Sequence, residues 1–180
     1  MLQVTIPGVE YYDDETETFI ETKGQVLSLE HSLISLAKWE SKWKKPFLSK
    51  DPRTIEESVD YIRCMTLTQN VNPEVYDHIP QSVMRQVDDY ISDSMTATWF
   101  NTRQQRRTNR EVITAEIIYY WMVALNIPFE CQKWHLNRLI TLVQVCNIKN
   151  EPEKKMNRRQ TLENNRALNE ARRQKIQTKG

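Results

Sequence analysis

Glycine is scarce in this sequence, which has only Gly8, Gly24 and Gly180 among its 180 residues. Loops that hold a phosphate with backbone N–H groups depend on glycine, because only glycine lets the backbone approach the ligand closely. No Walker loop and no Gly-x-Gly pattern occurs. Nucleotide-binding loops of these classes are therefore excluded.

Cysteine is also sparse, and its count is odd: Cys64, Cys131 and Cys146. Cys131 and His135 are four residues apart, a spacing that can coordinate zinc. The other cysteines and histidines are scattered singly, so a full ligand set is not expected, and His135 is better explained as a core-edge residue bonded to a backbone carbonyl. Cys131 and Cys146 lie on or beside apolar stripes, which disfavours a reactive thiolate. We predict no disulfide, metal, cofactor or catalytic residue, and hence no enzyme.

Long apolar runs are absent as well. No stretch approaches the roughly 18 residues that a membrane-spanning helix needs, and Met1–Pro7 lacks a basic region followed by an apolar run. We therefore expect neither a membrane span nor a signal peptide. Together with the cysteine usage, this favours a reducing cytoplasm.

The charge is distributed unevenly, although the net charge is only +1. Residues 1–22 contain six acidic residues and no Lys or Arg, whereas residues 149–180 contain ten Lys or Arg against four Glu. Opposite charges at the two ends favour head-to-tail self-association or an arm that docks on a partner. The alternative is two solvated ends that contact nothing.

The residue pattern predicts an α+β fold that is mostly α, with one globular domain over residues 1–150. Residues 1–29 have the β-branched bias and turns of a small antiparallel β meander. Residues 30–150 predict a core of about five or six helices, the first starting at Leu29 with Ser28 as N-cap. Thr54 and Glu57 form a capping box that opens another helix.

Further helical signals follow along the chain. Asn72 and Pro73 predict a short helical turn, and residues 81–94 predict an amphipathic helix. We expect residues 95–100 to be a buried extended segment or turn. Trp39 and Trp43 are four apart and should stack; beside lysines they are typical either of core and rim aromatics or of a site for single-stranded nucleic acid.

Two apolar stretches, residues 113–125 and 133–142, predict the central helical hairpin of the core. The first is apolar almost all the way round a helix, which indicates burial on several sides.

Two basic segments are the candidate binding sites. The polar loop of residues 101–110 contains four arginines and no Asp or Glu, a composition that can grip phosphate or carboxylate groups. Residues 151–180 predict a projecting, polar basic helical arm with few apolar side chains. The predicted partner-binding residues are Arg103, Arg106, Arg107, Arg110, Arg158, Arg159, Arg166, Arg172 and Arg173.

Four blocks resemble the tail assembly chaperones of long-tailed bacteriophages: Leu29–Trp43, Met95–Phe100, Ile113–Met122 and Lys133–Leu139. The resemblance implies a non-enzymatic helper in the cytoplasm of an infected bacterium. Such a helper binds the tape measure protein and lets tail tube protein polymerise around it. The resemblance assigns no active-site residue to this chain.

Two other functions stay open from the sequence. One is a nucleic-acid-binding phage protein that uses the arginine loop and the basic arm. The other is a structural connector or tail completion protein of the virion, in which the N-terminal strands pair between subunits.

Overall fold

The structure, a computed structural model, describes residues 1–13, 18–100, 112–150 and 158–176. It confirms the α+β, mostly α fold. The strands are β1 (Leu2–Ile6), β2 (Val9–Asp13), β3 (Thr18–Thr22) and β4 (Gln25–Leu29). The α-helices are α1 (Leu33–Trp43), α2 (Ile55–Met65), α3 (Gln81–Ser92), α4 (Ala115–Ala124), α5 (Leu136–Asn150) and α6 (Arg158–Ile176), with 3₁₀ helices at Pro73–His78 and Phe129–Lys133. The chain divides into two units, Met1–Asn147 and Ile148–Gly180.

The strands pair as one long antiparallel hairpin. β1 pairs with β4, and β2 pairs with β3. The pairing of β2 with β3 continues the register of the pairing of β1 with β4, since Leu2 lies opposite Leu29 and Val9 lies opposite Thr22. The predicted antiparallel pairing is confirmed, but the strand order is nested and is not that of a meander, in which consecutive strands pair.

The ladder is interrupted between β1 and β2, and between β3 and β4. Pro7 has no N–H with which to continue the pairing. A Cβ on Gly24 would lie 2.9 Å from the backbone nitrogen of Gly8 and 3.0 Å from the carbonyl oxygen of Ile6. Glycine is therefore needed at position 24, because the two chains approach each other too closely for a side chain.

The inner face of β1 and β4 belongs to the core. Val4 and Ile6 of β1 and Leu27 and Leu29 of β4 are all buried, because alternate residues of a strand share a face. The prediction of a helix starting at Leu29 with Ser28 as N-cap is wrong, since Leu29 is the last residue of β4.

Helix α1 begins one turn later than the sequence predicted. Ser32 is its N-cap, and the Ser32 hydroxyl accepts a hydrogen bond from the backbone N–H of Ser35. The Ser35 hydroxyl in turn accepts one from the backbone N–H of Ser32, at 2.8 Å. The capping box is thus Ser–Ser, without the Glu or Gln that usually marks it in a sequence.

The helix starts predicted at Thr54, Asn72 and Gln81 are confirmed. At α2, the Thr54 hydroxyl accepts from the backbone N–H of Glu57, and the Glu57 carboxylate accepts from the N–H of Thr54 at 2.9 Å. Asn72 caps the 3₁₀ helix Pro73–His78, and α3 spans Gln81–Ser92.

The centre of the core is α1. Helices α2 and α4 and the 3₁₀ helix Phe129–Lys133 all pack against it. Leu33, Leu36 and Trp39 of α1 are fully buried, and the Trp39 indole donates a hydrogen bond to the Glu57 carbonyl at 2.9 Å. The prediction that α4 and α5 form the central hairpin is wrong in this respect: both contribute to the core, but α1 organises it.

The segment after α3 was expected to be buried, and this prediction is wrong. Trp99 is 81% exposed and Met95 is also exposed. The Asp93 carboxylate accepts a hydrogen bond from the backbone N–H of Met95. This local turn ends the helix and keeps the following residues at the surface.

Candidate protein-binding surfaces

The outer face of α4, which consists of Glu116, Tyr120 and Val123, is exposed. Tyr120 is 68% and Val123 is 60% exposed. Only Ala115, Ile118 and Met122 of this helix are buried. The predicted burial on several sides is therefore wrong, because the side of α4 that carries Glu116, Tyr120 and Val123 lies in solvent.

The apolar surface continues from α4 into the next element. The Tyr119 ring lies 6.5 Å from the Phe129 ring, centroid to centroid, and the Tyr119 hydroxyl lies 3.0 Å from the side-chain oxygen of Gln132. Phe129 is 53% exposed. Tyr119 lies four residues before Val123, so Phe129 and the outer face of α4 adjoin. A contiguous exposed apolar patch is typical of a binding surface, whereas scattered apolar residues are not.

The second candidate surface is on α6. The described side chains of residues 162–174 are all exposed, including Leu162 and Leu168. Among the described side chains of α6, none is buried. Helices in water normally owe their stability to a packed apolar face. We therefore expect binding of a partner to stabilise the helix of the arm.

Three of the predicted arginines define what we call the arginine face of α6: Arg166, Arg172 and Arg173. All three are exposed, and none forms an ion pair with a described residue. Arg158 and Arg159 lie in the first turn of the same helix. Arg103, Arg106, Arg107 and Arg110 lie outside the described residues.

We expect deletion of residues 151–180 to leave the melting midpoint of the remaining chain nearly unchanged. The described side chains of the arm bury no apolar surface, so their removal takes little from the core. Circular dichroism melting of the full chain and of the truncated chain at equal concentration measures this. Unfolding or aggregation of the truncated chain would show that the arm belongs to the core.

No protein-family model, curated protein or solved structure matches this chain. The function must therefore be inferred from the residues themselves.

Among the described residues, every buried side-chain nitrogen or oxygen except His135 Nδ1 has a hydrogen-bond partner. Two histidine rings, those of His31 and His135, lie 5.0 Å apart in an edge-to-face contact. His31 Nδ1 lies 2.6 Å from the Tyr61 hydroxyl, and His135 Nε2 lies 3.0 Å from the Tyr90 carbonyl oxygen. The predicted bond from His135 to a backbone carbonyl is confirmed. His135 Nδ1 is buried and has no hydrogen-bond partner among the described residues.

Burial sets the protonation of this pair. Desolvation, with the nearby charges of His135 and Arg53, lowers the pKa of His31 to about 3. Desolvation also lowers the pKa of His135. Among the described residues, no group of three His, Cys, Asp or Glu side chains is arranged to hold a metal ion.

The tryptophan and lysine cluster of α1 contacts the buried carboxylate of Asp60. Trp39 and Trp43 stack as predicted, with ring centroids 6.2 Å apart. The Trp43 indole donates to Asp60 at 2.8 Å, and Lys42 pairs with the same carboxylate. Burial opposes ionisation of Asp60, but these hydrogen bonds prevail and lower its pKa. Trp43 and Lys42 are therefore held at the rim of the core, which disfavours the alternative of a nucleic-acid site there.

Glu40 is a buried carboxylate with a positional role. It accepts hydrogen bonds from the backbone N–H of Phe47 at 2.8 Å and of Ala115 at 2.7 Å. Ala115 is the first residue of α4, whose N-cap Thr114 makes no side-chain cap bond. A side chain of α1 thus caps the N-terminus of α4.

Sequence reasoning missed the outer face of α4 because it treated apolar character as burial. One signal was present: Glu116 precedes Tyr120 by four residues and Val123 by seven, so all three share a helical face that carries a charge.

No helix in the described parts of the chain is long and apolar enough to cross a membrane.

Proposed function

We propose that this protein is a non-enzymatic assembly factor of a long-tailed bacteriophage, a tail assembly chaperone that binds the tape measure protein in the host bacterial cytoplasm. Tail tube protein is the second partner that the resemblance implies. The function needs no metal and no cofactor.

The observation that carries this proposal is the exposed outer face of α4. Helix α4 is apolar on nearly all sides, yet Tyr120 and Val123 lie in water. Binding of a helical partner would remove these side chains from water and is favoured by the hydrophobic effect. The tape measure protein, which is long and helical, supplies such a partner.

We expect the double variant Tyr120→Ser/Val123→Ser to keep at least tenfold less tape measure protein in solution than the wild type. Loss of two apolar contacts from an interface costs more than the 1.4 kcal/mol that corresponds to a factor of about ten. The measurement is the soluble fraction of a phage tape measure protein co-expressed with each variant, on a quantified gel.

The matched control is Ile55→Ser/Leu67→Ser, which changes two exposed apolar residues elsewhere on the chain. This control should retain the wild-type effect. A wild-type protein that leaves the tape measure protein insoluble would contradict the proposed function. Equal performance of the α4 variant and the wild type would place the binding surface elsewhere.

A nucleic-acid-binding function is the second candidate, because the arginine face of α6 could contact phosphates. Such binding weakens steeply as salt rises, since counterions are released from the nucleic acid. Titration of labelled double-stranded and single-stranded DNA at two salt concentrations distinguishes this candidate, because a tail assembly chaperone should bind neither tightly.

A further inference from the structure

We infer that the arginine face of α6 binds an acidic helical segment of a protein partner, with carboxylates spaced one heptad apart. This inference rests on the proposed protein-binding function and assigns the arm a partner chemistry of its own. It concerns a surface separate in sequence from the outer face of α4.

The net positive charge of α6 favours an acidic partner. Six Lys or Arg and two Glu lie within the range of α6. Exposed arginines without ion-pair partners are stabilised when a carboxylate approaches, because the planar guanidinium can donate two parallel hydrogen bonds to it. Arg166, Arg172 and Arg173 have no ion-pair partner in the part of the chain that the structure describes.

The spacing of the arginines along α6 favours a partner that is itself a helix. Arg166 and Arg173 are seven residues apart, so they lie nearly on one line along the helix, about 10 Å from each other. The position of Arg159 falls on the same line, whereas Arg172 and the position of Arg158 lie roughly 70–110° to one side of it. A partner helix with Glu or Asp at every seventh position would present carboxylates at the matching interval.

The carboxylates of α6 favour a protein partner over a nucleic acid. Glu163 and Glu170 are also seven residues apart and are exposed beside the arginine face. A column of carboxylates would repel a continuous line of phosphates, which carries only negative charge. A protein helix can instead place a neutral or basic residue opposite each of these carboxylates.

The test uses the full chain and two labelled helical peptides of about 20 residues and identical composition. One peptide has Glu at every seventh position on one face, and the other has the same Glu residues distributed around the helix. Fluorescence anisotropy should show at least tenfold tighter binding of the heptad peptide at low salt, and loss of that preference at about 0.5 M salt as the pairs are screened.

Two variants separate charge from geometry. Arg166→Glu/Arg172→Glu/Arg173→Glu should lose binding of the heptad peptide by at least tenfold. The matched variant Arg166→Lys/Arg172→Lys/Arg173→Lys retains the charge but not the bidentate geometry, and should bind with intermediate affinity. Both should melt at the wild-type temperature, because these side chains are exposed.

Three outcomes would overturn the inference: equal binding of the two peptides, wild-type affinity in the Glu variant, or tighter binding of a DNA oligonucleotide than of the heptad peptide. The proposed function is judged separately by the co-expressed tape measure protein. A chain that keeps that protein soluble but shows no preference for the heptad peptide retains its function and loses only this assignment.

Discussion

Leu139→Ala is expected to lower the free energy of unfolding by about 2–5 kcal/mol, the range for a large-to-small change in a packed core. The Leu139 side chain is fully buried on α5. Its truncation removes apolar contacts and leaves a cavity that the surrounding helices cannot close without moving. Urea unfolding followed by circular dichroism measures the change.

Leu168→Ala is the matched control for this prediction, since it makes the same chemical change at a position that is 56% exposed on α6. Its unfolding free energy should stay within about 0.5 kcal/mol of the wild type. Trp121→Ala should cost less than removal of a fully buried tryptophan, because Trp121 is only partly buried. A wild-type midpoint in Leu139→Ala would show that α5 is not part of the cooperative core.

Acidification from pH 7 to pH 5 is expected to destabilise the fold by about 2 kcal/mol through His31 alone. The folded protein keeps His31 neutral, because desolvation lowers its pKa from the usual 6.5 to about 3. The unfolded chain takes up a proton below pH 6.5, so acid stabilises the unfolded state. His135, whose pKa is also lowered by desolvation, acts in the same direction.

The pH range over which the stability is lost identifies the groups that cause the loss. The pKa of Asp60 is lowered too, but an acid with a lowered pKa loses its stabilising effect only as the pH falls below the ordinary value of 3.8. A loss between pH 6.5 and 5 therefore reports the histidines. Urea unfolding at several pH values measures it, and His31→Phe should flatten the dependence even if this variant is less stable at pH 7. Equal stability of the wild type at pH 7 and pH 5 would refute the prediction.

Local chemistry made several elements predictable from sequence. The capping box of Thr54 and Glu57, the proline at position 73 and the period of α3 each depend on residues within a few positions of one another. The start of α1 was not predictable in this way. Leu29 fits the helical stripe of Leu33 and Leu36 as well as a strand, and only its pairing with Leu2 of β1 decides between the two.

The sequence by itself determined the class of the fold, the places where most helices begin, the scarcity of ligating residues and the opposite charges of the two ends. Tertiary structure decided which apolar residues are buried. Glu40 of α1 caps α4. On that helix Ile118 faces the core and Tyr120 faces water, although both lie in one apolar run. The physical reason is that burial depends on which elements pack together, and apolar character states only that burial is favourable, not that a packing partner is present.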